Sequence, residues 1–214
     1  MTLTDPQVYV VDDDDSVCRA LARLIQSAGY KVQTFGSARA FLDRKCSGTT
    51  PACVILDVQL PDLSGLELQQ ALDATMPVIF ITGHGDIPMT VGAMKAGATD
   101  FLTKPIRDVD LLHAIAQALE RASHTHQARC ELEAIRSRLN RLTPREREVM
   151  DRVVEGRLNK QVASELGTAE QTVKIHRARV MAKMEAASLA QLVRLVDRIG
   201  LGDSAETPQQ GKHS

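Results

Sequence analysis

Along the first 120 residues, short apolar runs alternate with stretches whose apolar residues recur every three or four positions. The runs Gln7–Val11, Lys31–Thr34, Ala52–Asp57, Val78–Thr82 and Thr99–Leu102 read as buried strands. Between them Ser16–Ala28, Ser37–Asp43, Ser64–Asp73, Asp86–Ala96 and a stretch from about Asp108 carry the helical period. Ser16, Ser37, Ser64 and Asp86 stand where N-caps belong, and Gly29 and Gly97 stand where helices stop. So regular an alternation predicts an α/β fold, a doubly wound five-stranded parallel sheet with helices on both faces. The unbroken runs Val54 to Leu56 and Val78 to Ile81 suit central strands buried on two sides.

The pattern then changes twice. In residues 121–140 sparse apolar positions (Leu132, Ile135 and Leu139, after Leu119) stand among Arg, His, Gln and Glu. This reads as a helical linker, either a narrow packing stripe or a solvated spacer. After Asn140 no strand signal remains, and three capping-box pairs follow: Thr143 with Glu146, Thr168 with Gln171, Ser188 with Gln191. Pro144 falls at a first helical position, and Asn159 can start a helix that Gly167 ends. Residues 141–200 therefore predict a second, all-α domain of four short helices. Residues 201–214 are polar and read as a disordered tail.

Charge separates the same two parts. Residues 1–122 hold 10 Lys/Arg against 15 Asp/Glu, a net of −5, whereas residues 141–200 hold 12 against 8, a net of +4. An acidic part suits a cation or basic partner and a basic part a polyanion. No apolar run is long enough to span a bilayer, and Met1 to Gln7 lacks the order of a signal peptide, so the cytoplasm is the expected compartment. Cys18, Cys46, Cys53 and Cys130 form no CxxC pair and read as free thiols, Cys18 and Cys53 in the core.

Candidate chemistry gathers at strand ends. The first strand runs into Asp12 to Asp15 and the third into Asp57. In an open α/β sheet ligands collect outside the carboxyl ends of the strands, which would bring Asp12 or Asp13 near Asp57. Several carboxylates in one cleft repel one another, and a hard divalent cation such as Mg²⁺ relieves that conflict. Thr82 ends the fourth strand with a hydroxyl, and Lys104 follows the fifth with an ammonium. Both suit a phosphoryl oxygen, and Pro105 favours a fixed turn in either isomer.

The stretches VYVVDDDDSV, VILDVQLPDLSGLEL, VIFITGHGD, AMKAGATDF and LTKP carry a resemblance to the receiver domain of two-component response regulators. The resemblance implies Asp57 as phosphoacceptor and Asp12 and Asp13 as the acidic pair for Mg²⁺. It also implies the backbone carbonyl of Val58 as a further metal ligand, Thr82 and Lys104 as the phosphoryl-binding pair, and Phe101 as an aromatic switch. Two departures stand out: Leu66 to Met76 is a few residues short, and Gly92 sits in a helix, where glycine costs about 1 kcal/mol relative to alanine.

In the basic part, LTPREREVM, NKQVASELGTAEQTVKIHRARVMAKM and SLAQLV resemble the LuxR-type helix-turn-helix of the NarL/FixJ response regulators, most of all the FixJ-like branch. Val173, Val180 and Met184 are spaced to face a core, while Lys174, Ile175 and Ala178 share another face. The resemblance implies Lys174 and Ile175 as base-facing residues with Ala178 near bases. Lys160, Thr172, Arg177 and Lys183 are implied as phosphate contacts. His176 reads as a packed residue in preference to a base contact.

The expected activity is transcription control by a phosphoprotein and not enzymatic turnover. A sensor histidine kinase supplies the phosphoryl group, a homodimer binds paired half-sites of double-stranded DNA, and RNA polymerase is a further partner. Two rivals are a regulator indifferent to phosphate and an aspartyl-phosphate hydrolase. The hydrolase class needs a second acid two residues after the nucleophile, where this chain has Gln59.

Overall fold

The computed structural model describes residues 6–44, 50–83 and 87–205. Two compact units emerge, Met1–Gln127 and Ala128–Ser214. In the first, β1 (Gln7–Val11), β2 (Lys31–Phe35), β3 (Ala52–Asp57), β4 (Val78–Thr82) and β5 (Asp100–Thr103) form one sheet in the order β2-β1-β3-β4-β5. Every neighbouring pair is parallel. The intervening helices are α1 (Asp15–Ser27), α2 (Ala38–Leu42), α3 (Gly65–Ala71), α4 (Ile87–Lys95) and the start of α5 (Asp108–Asn140).

Period-two alternation divides the strand residues between two cores. Val8, Val10, Cys53, Ile55, Ile79 and Ile81 pack with Cys18, Leu21 and Ile25 of α1 and Leu111 and Ile115 of α5. Val11, Val54, Leu56, Val78 and Phe80 pack on the other face with Phe41 of α2, Leu68 of α3 and Ala93 of α4. Fully burying one such side chain stabilises by about 1.5–3 kcal/mol, so the unbroken apolar runs of β3 and β4 follow from burial on both faces. Cys18 and Cys53 lie in the core as free thiols, the latter pushed up to about 12 by burial; Cys130 is exposed. Cys46 and the candidate cap Asp86 lie outside the described residues.

Caps depart from expectation at two places. Asp14 begins α1, accepting from the backbone N–H groups of Ser16 and Val17, so Ser16 is a donor inside the helix and not its cap. At the other site, α8 (Glu170–Lys183) starts from Ala169 without a side-chain cap, and the Thr168–Gln171 box does not form. Gly167 reverses the chain there at φ 61°, and the Thr168 N–H turns back to the Ala163 carbonyl. By contrast Ser64 with Glu67 and Thr143 with Glu146 form complete boxes. The short stretch before β4 trims α3 to seven residues, closed by a turn in which Asp73 accepts from Thr75.

The second unit holds α6 (Pro144–Val154), α7 (Asn159–Glu165), α8 and α9 (Leu189–Ala205), together with α5 from Ala128 onward. Ile135 and Leu139 of α5 are buried with Met150, Val180, Met184, Leu192 and Ile199. Arg138 pairs with Glu185 at 2.7 Å, and Glu131 pairs with Arg198. The apolar stripe after Leu119 is thus packed, and this end of α5 is part of the second unit's core. A smaller cluster, Val149, Val153, Val162, Ala163 and Val173, joins α6, α7 and α8. Helix α9 continues to Ala205, through the first residues of the stretch expected to be disordered; residues 206–214 lie outside the described ones. No helix among the described residues is long and apolar enough to cross a membrane.

Candidate phosphoryl pocket and DNA-facing helix

Sheet register brings the acidic residues together. Val11 of β1 pairs with Leu56 of β3, so one step further along the parallel strands places Asp12 beside Asp57. The Asp12 N–H donates to the Phe35 carbonyl at 3.1 Å and Asp12 is fully buried; Asp57 is nearly so. Lys104 reaches both, its Nζ 2.8 Å from Asp12 Oδ2 and 2.6 Å from Asp57 Oδ2. The remaining oxygens are held by backbone: Asp12 Oδ1 accepts from the Asp14 N–H and Asp57 Oδ1 from the Gln59 N–H. Burial pushes the Asp12 carboxyl above the ordinary aspartate value, partly offset by its bond to Lys104. Burial would lower the Lys104 pKa, but its bonds to Asp12 and Asp57 outweigh this and hold it above its ordinary value.

Asp13 is exposed at the rim, and one carboxylate oxygen each from Asp12, Asp13 and Asp57 lies within 4.8 Å of the others. Oxygen donors gathered this closely suit a hard dication such as Mg²⁺. Three carboxylates face a single ammonium, and a dication balances the excess. The residues fit the ion that receiver domains bind. The Val58 carbonyl accepts the Gly65 N–H at 2.9 Å, which leaves one lone pair for the metal-ligand role the resemblance implies.

Thr82 lies at the end of β4 beside Thr103, almost fully buried, and its carbonyl accepts the Lys104 N–H at 2.7 Å. The Lys104–Pro105 peptide is cis. Phe101 is half-buried opposite Phe80, ring centroids 6.3 Å apart. One residue the motif reading gave no role is Gly65. A Cβ there would stand 2.4 Å from the Asp57 carbonyl oxygen and 3.0 Å from the Val58 Cα. Both are backbone atoms, so only glycine lets α3 start against the phosphoacceptor strand.

On α8 the expected division of faces is present. Val173, Val180 and Met184 are buried, while Lys174, Ile175 and Ala178 are exposed. Thr172 is half-buried and Lys160, on α7, is exposed. Arg177 donates to Asn159 Oδ1 at 3.1 Å, and Lys174 lies 3.4 Å from Glu170. Lys183 departs from expectation: its Nζ sits 2.6 Å from Oε2 of buried Glu146, whose carboxylate also caps α6. That cation is tied to the fold in the unbound chain, so its implied role at phosphates would require release from Glu146. Arg179, which the implied contact set lacks, is exposed and forms no ion pair among the described residues. His176 is half-buried and its Nδ1 has no hydrogen-bond partner among the described residues.

Comparisons with known proteins agree with this architecture. The family model "Response regulator receiver domain" matches residues 8–116, and "Bacterial regulatory proteins, luxR family" matches residues 140–196. Nodulation protein W of Bradyrhizobium diazoefficiens is 50% identical over 197 residues, covering 91% of this chain and 86% of that protein. The transcriptional regulatory protein FixJ of Rhizobium meliloti is 42% identical over 205 residues, covering 94% of this chain and 100% of that protein. Among solved structures, the response regulator StyR superposes with a TM-score of 0.83 at 46% identity, covering 91% of this chain and 100% of that one. The chain belongs to the two-component response regulators that join a receiver to a LuxR-type DNA-binding domain, in the FixJ-like branch of the NarL/FixJ family. These are transcriptional regulators and not conventional enzymes. A receiver implies a sensor kinase as partner, and a LuxR-type domain implies DNA.

Proposed function

We propose that this regulator is controlled at Asp57, which accepts a phosphoryl group from a sensor histidine kinase and thereby promotes binding of a homodimer to paired DNA half-sites. The observation that carries the reading is Lys104 bridging Asp12 and Asp57 at the open end of the sheet, with Asp13 at the rim. An Asp57 carboxylate oxygen attacks phosphorus; the bond to the kinase's imidazole nitrogen breaks, and its electron pair returns to the ring. Asp12, Asp13 and Asp57 would hold Mg²⁺, which supplies positive charge that screens the approach of anionic oxygens.

The product adds about −1.5 to −2 charges beside a half-buried ammonium. Lys104 then turns from its two carboxylates to a phosphoryl oxygen, the Thr82 hydroxyl donates to another, and Phe101 moves inward behind Thr82. Because the Lys104 N–H already bonds the Thr82 carbonyl, the two strand ends move as one. On the DNA side, Lys174 and Ile175 face bases with Ala178 beside them, while Lys160, Thr172, Arg177 and Arg179 meet phosphates or the groove edge. The regulator acts in the cytoplasm, at promoters where RNA polymerase is a further partner.

Coupling of about 1–3 kcal/mol amounts to roughly a 5- to 150-fold change in DNA affinity. Acetyl phosphate with Mg²⁺ should raise the wild-type chain's affinity for its operator within that range and leave Asp57→Asn unmoved. If untreated wild type and Asp57→Asn bind as tightly as treated wild type, the regulator is indifferent to phosphate and this reading fails.

A further inference from the structure

Most of the cations of α8 are already engaged in the free protein. Lys183 is bound to Glu146, Arg177 to Asn159 and Lys174 to Glu170, leaving Arg179 unpaired among the described residues. The last of these pairs differs from the others. Glu170 is the sole acid in α8, it stands in the first turn, and both partners are about half exposed. The N-terminal residues of a recognition helix are the ones that reach base edges, where a carboxylate is costly unless a donor meets it.

We propose that Glu170 is a specificity-determining residue which, with Lys174, reads one C·G base pair of the half-site in a fixed orientation. In the major groove cytosine presents its N4 amino donor, and its partner guanine presents the acceptors O6 and N7. Within the base pair that donor and acceptor are themselves hydrogen-bonded, roughly 2.9 Å apart. The carboxylate and ammonium of Glu170 and Lys174 are 3.4 Å apart, a negative and a positive group at nearly the same spacing and of opposite polarity to the base pair's own. Glu170 accepts from N4 while Lys174 donates to O6 or N7. Replacing C·G by T·A puts the thymine O4 acceptor against the carboxylate, so the Glu170 contact turns repulsive, and it replaces the O6 acceptor by the adenine amino donor, so Lys174 keeps N7 alone. Reversing the pair to G·C does the same to Glu170. As an intrahelical pair of surface charges the same two residues would add little to stability and select nothing.

The inference rests on the base-facing reading of α8. Its test is selection of bound duplexes from a randomised pool by the full chain treated with acetyl phosphate and Mg²⁺, in wild type, Glu170→Ala, Glu170→Gln and Lys174→Ala. Wild type should fix one C·G per half-site. Both Glu170 variants should relax that position alone, bind the wild-type-selected duplex roughly 5- to 150-fold more weakly, and bind unrelated DNA no more weakly than wild type. Glu170→Gln, which keeps the side-chain shape, stands in should Glu170→Ala fold poorly. Unchanged base preference in the Glu170 variants, or equal losses on specific and unrelated DNA, overturns the inference. If Lys174→Ala also leaves every position unchanged, the base-facing reading of α8 fails with it.

Discussion

The buried ion pair between α6 and α8 permits a worked prediction. Glu146 Oε2 accepts from Lys183 Nζ at 2.6 Å and from the Thr143 N–H at 2.9 Å, and together these hold its carboxyl at about 2 against an ordinary 4.5. That gap corresponds to about 3 kcal/mol of folding free energy, an upper value because Lys183 remains a third exposed. The folded value lies below the unfolded one, so the stabilisation is fully present above about pH 4.5 and is lost as pH falls through about 2. Glu146→Gln should therefore lower the unfolding free energy of the second unit by about 2–3 kcal/mol at pH 7, followed by circular dichroism in urea. At pH 2 the variant and wild type should differ little. Equal losses at both pH values, or none at pH 7, would refute the electrostatic assignment. Lys183→Met carries the companion test. A cation held by the fold should leave the salt dependence of DNA binding unchanged, whereas a phosphate contact would reduce its slope by about 0.9.

Other consequences follow from packing. Gly65→Ala forces a methyl against two backbone atoms of the phosphoacceptor strand and should cost about 1–3 kcal/mol or more. It should also slow phosphoryl uptake, measured by acetyl-phosphate labelling; unchanged uptake with lowered stability would separate α3 from the chemistry. Gly92→Ala has open space around the new Cβ and should stabilise the receiver by up to about 1 kcal/mol in thermal unfolding. Ile135→Ala, 3% exposed within the core of the second unit, should cost about 2–5 kcal/mol there; a solvated spacer would show no loss.

Local patterns carried the strands well. β1, β3 and β4 are short apolar runs whose alternate residues enter two separate cores, and burial on both faces leaves little freedom in their limits, whereas the edge strands β2 and β5 are only partly covered. Helix starts were less legible. Ser16 stood as the expected cap of α1, but the hydrogen bonds from the Ser16 and Val17 N–H groups select Asp14 two residues earlier. Near α8 the left-handed Gly167 redirected Thr168 before it could cap. The acidic pocket was legible because parallel register turns a residue's place at a strand end into proximity. Lys183 was not, because its partner Glu146 lies 37 residues away in sequence and only helix packing joins them. Gly65 lay inside a quoted motif, but the closeness of Asp57 and Val58 that requires it exists only once α3 packs against β3.

The central claim is that the strand-end cluster around Asp57 accepts a phosphoryl group, and its most direct test is mass-spectrometric mapping of the chain after acetyl phosphate and Mg²⁺. One phosphoryl group on the peptide containing Asp57, lost with Asp57→Asn or on chelating the metal and sharply reduced in Lys104→Ala and Thr82→Ala, is the expected result. Labelling at another residue, or at Asp57 with equal speed in all these variants and without metal, would contradict it.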